Sequence, residues 1–185
     1  MAHWILTHHG HEFSFKNINW EDVYIEDIAF SLARIRRFNG HASANCSVAL
    51  HSVMVLGLIQ MMGYDENMQR WAILHDAHEA YLGDIASPIK PYLRDLEQMT
   101  VNIDGKIYNR FKVSRKTGKN WITYADLCCL KYERDNFMPP GRPWPILDDI
   151  PPIAIDDNLR EFYFINDPNQ HEQLFIDKCK SLGLL

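Results

Sequence analysis

The chain has 185 residues, a formal net charge of −5 and 46% hydrophobic residues. This length suits one domain with a substantial core and is short for two, so we expect a single domain over residues 1–185. The acidic balance argues against a broad nucleic-acid groove, and the absence of a long apolar run argues against a membrane span, whereas a small anionic substrate held by local cations remains compatible.

The N-terminal segment predicts a small β-hairpin. WILT and FSF show strand-like alternation on either side of Gly10, and the start of the chain lacks the basic-then-apolar pattern of a signal peptide. Histidines are concentrated here, but no carboxylate or cysteine accompanies them at ligand spacing. We therefore interpret the segment as solvated and not as a metal tract; the histidines are His3, His8, His9 and His11.

Hydrophobic periodicity beyond this segment predicts an all-α fold, a helical bundle. The second predicted helix is apolar on most sides and should therefore be central. The last one has Asp167 as its N-cap and Pro168 at its first position. The predicted helices cover 24–38, 47–62, 67–82, 92–111, 121–137, 158–164 and 168–181. A proline-rich loop is predicted over 139–157, and four cysteines without C-x-x-C pairing favour a reduced, cytoplasmic protein.

The stretch WAILHDAHEAYLGDIASP, residues 71–88, concentrates polar groups within a predicted amphipathic helix. Glu79 lies four positions after His75 and three after Asp76, so it meets both on a helix surface. His75 and Asp76 diverge by about 100°, and they can share an ion only over the edge between them. Imidazole and carboxylate suit a divalent transition metal or a dinuclear site. The alternative is a solvated pair, which the preceding apolar AIL disfavours.

Two further residues complete a ligand pattern. His51 and Asp126 each fall inside a helix interpreted as largely buried, where an ionised carboxylate is costly without a partner or a cation. Individually, His51 is compatible with a satisfied core histidine, and Asp126 with a cap or an arginine partner. One metal shared by His51, His75, Asp76 and Asp126 would satisfy all of these groups.

On these residues the sequence resembles the HD-domain metal-dependent phosphohydrolases. The similarity extends over roughly residues 25–137, through IEDIAFSLARIRRFNGH, SVALHSVMV, LHDAHEAYLGDIASPIK and YADLCCLKYERD. HDAHEAYLGD is similar to the HD-x-x-E-x-x-x-GD pattern of bacterial 5′-deoxynucleotidases, whereas RRFNGH and the overall size are closer to phage dATP triphosphohydrolases. In ASANCSVALHS the chain departs from this group, which tends to have an aromatic before Ser47 and Glu in place of Leu50, so the pocket wall differs.

The resemblance implies site residues as well as a fold. It implies a zinc, cobalt or manganese ion on the four ligands, Glu79 positioning water or moving its proton, and Asp84 acting near the sugar. Arg37, an arginine before an aromatic residue, is implied to contact phosphate. His41, Lys90 and Arg134 are weaker cationic candidates, for which solvated surface charges are the alternative. Trp20 and Ile25 are candidate walls for a base, with core packing as the alternative for Ile25.

The leading hypothesis is therefore a metal-dependent dATP triphosphohydrolase that releases deoxyadenosine and triphosphate. The alternatives are a 5′-deoxynucleotidase acting on deoxynucleoside monophosphates, a non-catalytic HD fold that binds a nucleotide, and a phosphodiesterase for a cyclic or dinucleotide signal. We expect a deoxynucleotide, favoured as dATP, as the partner, with no stable nucleic-acid or membrane binding. The apolar second helix and the proline-rich loop suggest homo-oligomer formation.

Overall fold

The computed structural model describes residues 3–185 and is mainly helical with one small antiparallel hairpin, which confirms the predicted fold class. Met1 and Ala2, part of the predicted single domain, lie outside the described residues. The strands are β1 (Trp4–Leu6) and β2 (Glu12–Ser14). The helices are α1 (Ile25–Arg34), α2 (Val48–Met61), α3 (Glu66–Leu74), α4 (Glu79–Leu82), α5 (Leu96–Arg110), α6 (Lys119–Phe137), α7 (Asp157–Phe162) and α8 (Pro168–Ser181). Short 3₁₀ turns cover Trp20–Asp22, Arg37–Gly40, Lys90–Tyr92 and Pro145–Leu147.

The hairpin is fixed to the helical domain by its second strand. Ile5 of β1 lies opposite Phe13 of β2, and Phe13 is fully buried, with its ring stacked on Tyr81 of α4 at a centroid distance of 3.7 Å. Gly10 has a φ of 83°, so the predicted turn uses the backbone freedom of glycine. Burial of one large aromatic side chain anchors a hairpin that would be marginal alone.

The side chains of His9 and His11 are 41% and 35% exposed, as expected for a solvated segment, but a carboxylate does accompany them. The Nδ1 atom of His9 lies 2.7 Å from one carboxylate oxygen of Asp27, and that of His11 lies 2.6 Å from the other. Asp27 belongs to α1 and is 4% exposed. Sequence spacing could not reveal this carboxylate, because it comes from a different element of the fold.

Helix α2 is central, as predicted. It packs against α1, α3, α6 and α8, and nearly all of its residues from Val48 to Ile59 are buried. Ser47 caps its start by accepting a hydrogen bond from the backbone N–H of Leu50. Any polar side chain in the middle of this helix is therefore held in the interior and needs a polar partner.

The first predicted helix is too long, because α1 ends at Arg34 and not at residue 38. Phe38 and Asn39 have φ angles of 56° and 51°, which a right-handed helix does not allow. The chain is extended just before them, and Arg36 pairs with Ser47 as an isolated β-bridge. The bridge turns the following residue, Arg37, into the interior, where it is 9% exposed.

The predicted helix over 67–82 is interrupted between α3 and α4. Its backbone N–H groups at residues 77, 79, 80 and 81 donate to carbonyls three residues earlier, and not four. Such 3₁₀ geometry has about 3.0 residues per turn, so side chains three apart eclipse. The hydroxyl of Tyr108, on α5, lies 3.5 Å from the carbonyl oxygens of Leu74 and His75 in this break.

The remaining boundaries differ by a few residues from the predictions. Helix α5 starts at residue 96 and not at 92, because Asp95 has a left-handed φ of 62°. The predicted loop over 139–157 contains one 3₁₀ turn, and Asp167 caps α8 as expected. The four cysteines are unpaired and buried. Within residues 3–185, no helix is long and apolar enough to span a membrane.

Candidate metal centre

The four predicted metal ligands converge, although they come from separate elements. Helix α2 supplies His51, the 3₁₀ break after α3 supplies His75 and Asp76, and α6 supplies Asp126. One ligand atom from each of His51, His75 and Asp126 lies within 4.8 Å of the others. Asp76 Oδ2 lies 3.0 Å from His75 Nε2 and 4.0 Å from His51 Nε2.

The spacing of these atoms fits a coordination sphere. His51 Nε2 lies 3.0 Å from Asp126 Oδ1. Nitrogen and oxygen ligands bind zinc at about 2.0–2.2 Å, which separates neighbouring ligands by about 3 to 3.5 Å around one ion. Two imidazoles and two carboxylates are donors that zinc, cobalt and manganese accept. The residues present therefore fit a divalent transition metal.

His75 is oriented as a ligand. Its Nδ1 lies 2.8 Å from the carbonyl oxygen of Ala72, and a carbonyl only accepts, so Nδ1 carries the proton and Nε2 presents its lone pair. Nε2 is buried and has no hydrogen-bond partner among residues 3–185, although Asp76 Oδ2 lies 3.0 Å away. A buried, unpartnered ring nitrogen is costly without a ligand, and a metal ion would satisfy it.

Glu133, which the sequence reasoning did not identify, holds His51 from behind. It is fully buried in α6, and its Oε2 lies 3.3 Å from His51 Nδ1. The hydroxyl of Tyr163 donates a hydrogen bond of 3.1 Å to its other oxygen. Glu133 follows Asp126 by two helical turns, so both carboxylates lie on one face of α6 with the imidazole between them. An acidic residue inside an apolar helical pattern was the available signal.

Negative charge dominates the surroundings of His51. Burial and the nearby Arg37 lower its pKa, but Glu133 and the hydrogen bond to Asp126 outweigh them and raise the pKa to about 9. The same carboxylates that hold a proton on this ring would favour a divalent cation in its place, with release of the proton.

Arg37 lies inside the centre and not on its open side. Its Nε donates a hydrogen bond of 2.9 Å to Glu133 Oε2, and its Nη1 lies 3.8 Å from Asp76 Oδ2. Burial alone would lower the pKa of Arg37, but the negative charges of Glu133, Asp126 and Asp76 outweigh it. The pKa of Arg37 is therefore raised above its usual value. The guanidinium therefore neutralises carboxylates of the centre, and its predicted contact with phosphate stays a prediction.

Glu79 and Asp84 lie beside the four ligands. Glu79 is 4% exposed, and its Oε2 has no hydrogen-bond partner in the described part of the chain. Burial, followed by the charges of Asp76 and Asp84, raises the pKa of Glu79 well above its usual value. Burial also raises the pKa of Asp84. Carboxylates with a raised pKa beside a cleft are candidates for proton transfer.

A cavity of about 570 Å³ opens next to Glu79, between the end of α4 and the start of α5. Its walls are largely apolar and include Leu82, Ile85 and Leu93, and Lys90 adds a positive charge. This volume falls within the range of small-molecule sites. Lys90, one of the predicted cationic residues, lines this cavity together with Glu79. Its position suits contact with an anionic ligand.

The other predicted substrate residues lie in different surroundings. Arg134 pairs with the adjacent Asp135 at 2.9 Å. Trp20 is 37% exposed, with Arg110 over its ring at 5.7 Å. Ile25 is 1% exposed and belongs to the hydrophobic core. It therefore packs in the core, which was the alternative to its role as a wall for the base. His41 is exposed after the 3₁₀ turn at 37–40. Within residues 3–185, no hydrogen bond or ion pair joins these side chains to the ligands.

Comparison with known proteins establishes kinship. The chain is 38% identical over 149 residues to the uncharacterized protein YfdR of Escherichia coli K12, an alignment that covers 80% of each protein. The chain belongs to the same family as YfdR. A second relative of this YfdR-family chain, the uncharacterized protein RCAP_rcc00048 of Rhodobacter capsulatus, is 42% identical over 73 residues, or 37% of each chain. No family model matches the sequence.

Proposed function

We propose that this protein is a divalent-metal-dependent phosphohydrolase of the HD type that acts on deoxynucleotides, with dATP as the favoured substrate. The observation that carries the proposal is the convergence of His75 Nε2, buried and unpartnered, with ligand atoms of His51, Asp76 and Asp126. A zinc, cobalt or manganese ion bound there would polarise a phosphoryl oxygen and lower the pKa of a bound water from 15.7 to about 7.

The residues around the ligands fit the other tasks of hydrolysis. Glu79 suits acceptance of the proton of the attacking water, because its carboxylate lies close to Asp76 and one of its oxygens, Oε2, is buried without a partner among residues 3–185. Attack at the α-phosphorus and cleavage of its bond to the 5′ oxygen give deoxyadenosine and triphosphate, with the leaving 5′ oxygen taking up a proton. The apolar cavity beside Glu79 suits a nucleoside, and Lys90 suits a phosphate.

A 5′-deoxynucleotidase is the second candidate, and the burial of Arg37 favours it. That guanidinium is already bound to Glu133, which leaves fewer cations for the several charges of a triphosphate. The metal ligands and Glu79 would serve either reaction. The two candidates differ in the phosphorus-containing product and in the substrate that is left untouched.

Chromatography of reaction products tests the proposal. Purified protein loaded with cobalt or manganese is incubated separately with dATP and with dAMP, and nucleosides and phosphates are separated. We expect deoxyadenosine and intact triphosphate from dATP. Ready hydrolysis of dAMP with dATP untouched would replace the proposal by the 5′-deoxynucleotidase, and no hydrolysis of any deoxynucleotide would favour the non-catalytic alternative. The variant Asp126→Ala, which lacks one ligand, controls for contaminating phosphatases.

A further inference from the structure

A second cleft opens at the end of α5, apart from the cavity beside Glu79. Its volume is about 400 Å³, and it is lined by the last turns of α5 and the residues that follow them, among them Tyr108, Lys112 and Arg115. None of its lining residues lines the cavity beside Glu79, and none is a candidate metal ligand. This volume is enough for a small molecule, so the cleft is a separate candidate site.

The cleft carries positive charge that is poorly balanced. Residues 105–120 contain six lysines and arginines and no aspartate or glutamate, in a chain whose net charge is −5. Lys112 and Arg115 line the cleft and are exposed. In the part of the chain that the structure describes, Lys112 takes part in no ion pair, and Arg115 has only a loose one, 3.5 Å from Asp104 Oδ2. An anionic ligand would supply the counter-charge that these two cations lack.

The backbone around the two cations is held in a fixed conformation. Lys112 has a left-handed φ of 55°, which is uncommon for a residue other than glycine. The N–H of Val113 donates a hydrogen bond of 2.8 Å to the carbonyl of Tyr108. The side chain of Asn67 donates to the carbonyl of Ser114 at 2.9 Å and accepts from its N–H at 2.7 Å. A preformed cleft binds a ligand without the cost of ordering a loop.

The walls of the cleft favour a compact phosphate-bearing anion over a nucleic-acid strand. Its aromatic residue, Tyr108, is 5% exposed and has the guanidinium of Arg115 over its ring at 4.9 Å. That ring is therefore not free to stack on a base, as sites for single strands require. A Cβ added to Gly105 would meet nothing within 4 Å, so the space beside this wall is open. The fork of an arginine and the point charge of a lysine are the side chains that suit phosphate.

Two side chains connect this cleft to the break between α3 and α4. The hydroxyl of Tyr108 contacts two carbonyl oxygens of the break. Arg115 lies 3.5 Å from one oxygen of Asp104, whose other oxygen lies 3.0 Å from His78 Nδ1. His78 in turn lines the cavity beside Glu79. An anion that draws Arg115 away from Asp104 therefore changes the charge that His78 meets.

We propose that this cleft binds a compact anion with two or three phosphates, and that the bound anion acts on the cavity beside Glu79 through Asp104 and His78. The site goes beyond the proposed function and does not rest on it. Inorganic triphosphate, the product of the proposed reaction, and the phosphates of a nucleotide share the chemistry that the cleft recognises. A ligand bound there would regulate the protein and would not itself react.

Isothermal titration calorimetry of the metal-free protein with inorganic triphosphate tests the site. We expect Lys112→Gln and Arg115→Gln each to weaken binding by about 10- to 100-fold, the effect of losing a hydrogen bond between charged groups. Lys119→Gln is the matched control, because Lys119 belongs to the same basic segment and is exposed but does not line the cleft. Its affinity for triphosphate should stay close to that of the unaltered protein.

Three results would overturn the site. These are no binding of triphosphate, unchanged affinity in both cleft variants, and a loss in Lys119→Gln as large as in Arg115→Gln, which would indicate diffuse attraction. Binding of a single-stranded oligodeoxynucleotide without binding of triphosphate would equally contradict it. The same titration with dATP distinguishes the two sources of phosphate: tighter binding of dATP that depends on Arg115 assigns the cleft to a nucleotide, and tighter binding of triphosphate assigns it to the inorganic anion.

Nuclear magnetic resonance of the histidine rings, at constant pH in the metal-free protein, tests the connection. Saturating triphosphate should shift the His78 signal in the unaltered protein and leave it unmoved in Arg115→Gln. Asp104→Asn should still bind triphosphate but show a much smaller shift, because the charge between the two side chains is gone. An unmoved His78 signal in the saturated, unaltered protein would refute the connection. Neither measurement uses a metal or turnover, so a failure to hydrolyse deoxynucleotides would leave both results intact.

Discussion

At the scale of single residues, the centre depends on how each imidazole is held. His75 is fixed by a backbone carbonyl, whereas His51 lies between Asp126 and the fully buried Glu133. Glu133 in turn is satisfied by Arg37 and Tyr163. The buried network therefore links the orientation of a metal ligand to an internal ion pair, and damage to one should weaken the other.

We predict that Glu133→Gln weakens metal binding at the candidate centre by about 10- to 100-fold, because partners that orient ligands typically contribute that much. The same change leaves Arg37 buried without its counter-charge, which should lower the free energy of unfolding by about 3 to 5 kcal/mol. Competition with a chelator of known zinc affinity measures the first effect, and urea unfolding measures the second.

Tyr163→Phe is the matched control for that variant. It removes one hydrogen bond to Glu133 but keeps the carboxylate and its charge, so metal affinity should change much less than in Glu133→Gln. Equal zinc affinity in the unaltered protein and in Glu133→Gln would show that Glu133 does not orient His51.

We predict that Glu79→Gln keeps the metal ion bound by the four candidate ligands and loses about 10² to 10⁴ in turnover, the usual contribution of a positioned proton acceptor. Glutamine preserves size and burial, so folding should be maintained. Glu161→Gln is the control, because Glu161 is exposed and does not line the cavity. Turnover of Glu79→Gln near that of the control would reduce Glu79 to a structural carboxylate.

At the scale of elements, the hairpin and α1 are joined by the contact of His9 and His11 with Asp27. Burial alone would raise the pKa of Asp27, but the hydrogen bonds from His11, His9 and Thr7 outweigh it, and the net pKa is lowered. A carboxylate with a lowered pKa in the folded state stabilises that state above its unfolded pKa, and this contribution disappears as the pH falls through the lower value.

We therefore predict that Asp27→Asn lowers the free energy of unfolding at neutral pH by about 1 to 3 kcal/mol, the range for hydrogen bonds to charged groups. The difference from the unaltered protein should vanish in acid, where Asp27 is protonated in both states. Urea unfolding at neutral and acidic pH measures it, with the exposed neighbour Glu26→Gln as control. A difference that persists undiminished in acid would contradict the account.

The same scale shows what the sequence could and could not predict. Apolar periodicity located α2 as central, and Asp167 with Pro168 located the start of α8, since both are local signals. The break between α3 and α4 was missed, because the pattern of HDAHEAYL is equally compatible with a continuous helix. In the folded protein, Tyr108 and Asp104 of α5 contact this break, and such contacts are not part of local propensity.

Part of the candidate site could be predicted from the sequence, and part of it depends on contacts between elements that are distant in the sequence. The convergence of the four candidate ligands could be predicted, because their side chains are costly to bury singly and that cost can be inferred from the sequence. The pairing of Arg37 with Glu133 was missed, because Arg37 follows the β-bridge at Arg36 and Glu133 comes from a different element, α6. The chain belongs to the family of YfdR, and the proposed activity is inferred from the residues of the candidate metal centre.

At the scale of the whole molecule, the bundle brings residues from α2, the 3₁₀ break and α6 to one point, and the central claim is that this point binds a metal ion. Elemental analysis of the protein after zinc loading and dialysis tests the claim most directly. We predict bound zinc in the unaltered protein and its loss in His75→Ala and in Asp126→Ala, with helix content unchanged by circular dichroism. Full zinc occupancy in both variants, equal to that of the unaltered protein, would contradict the ligand assignment on which the proposed function depends.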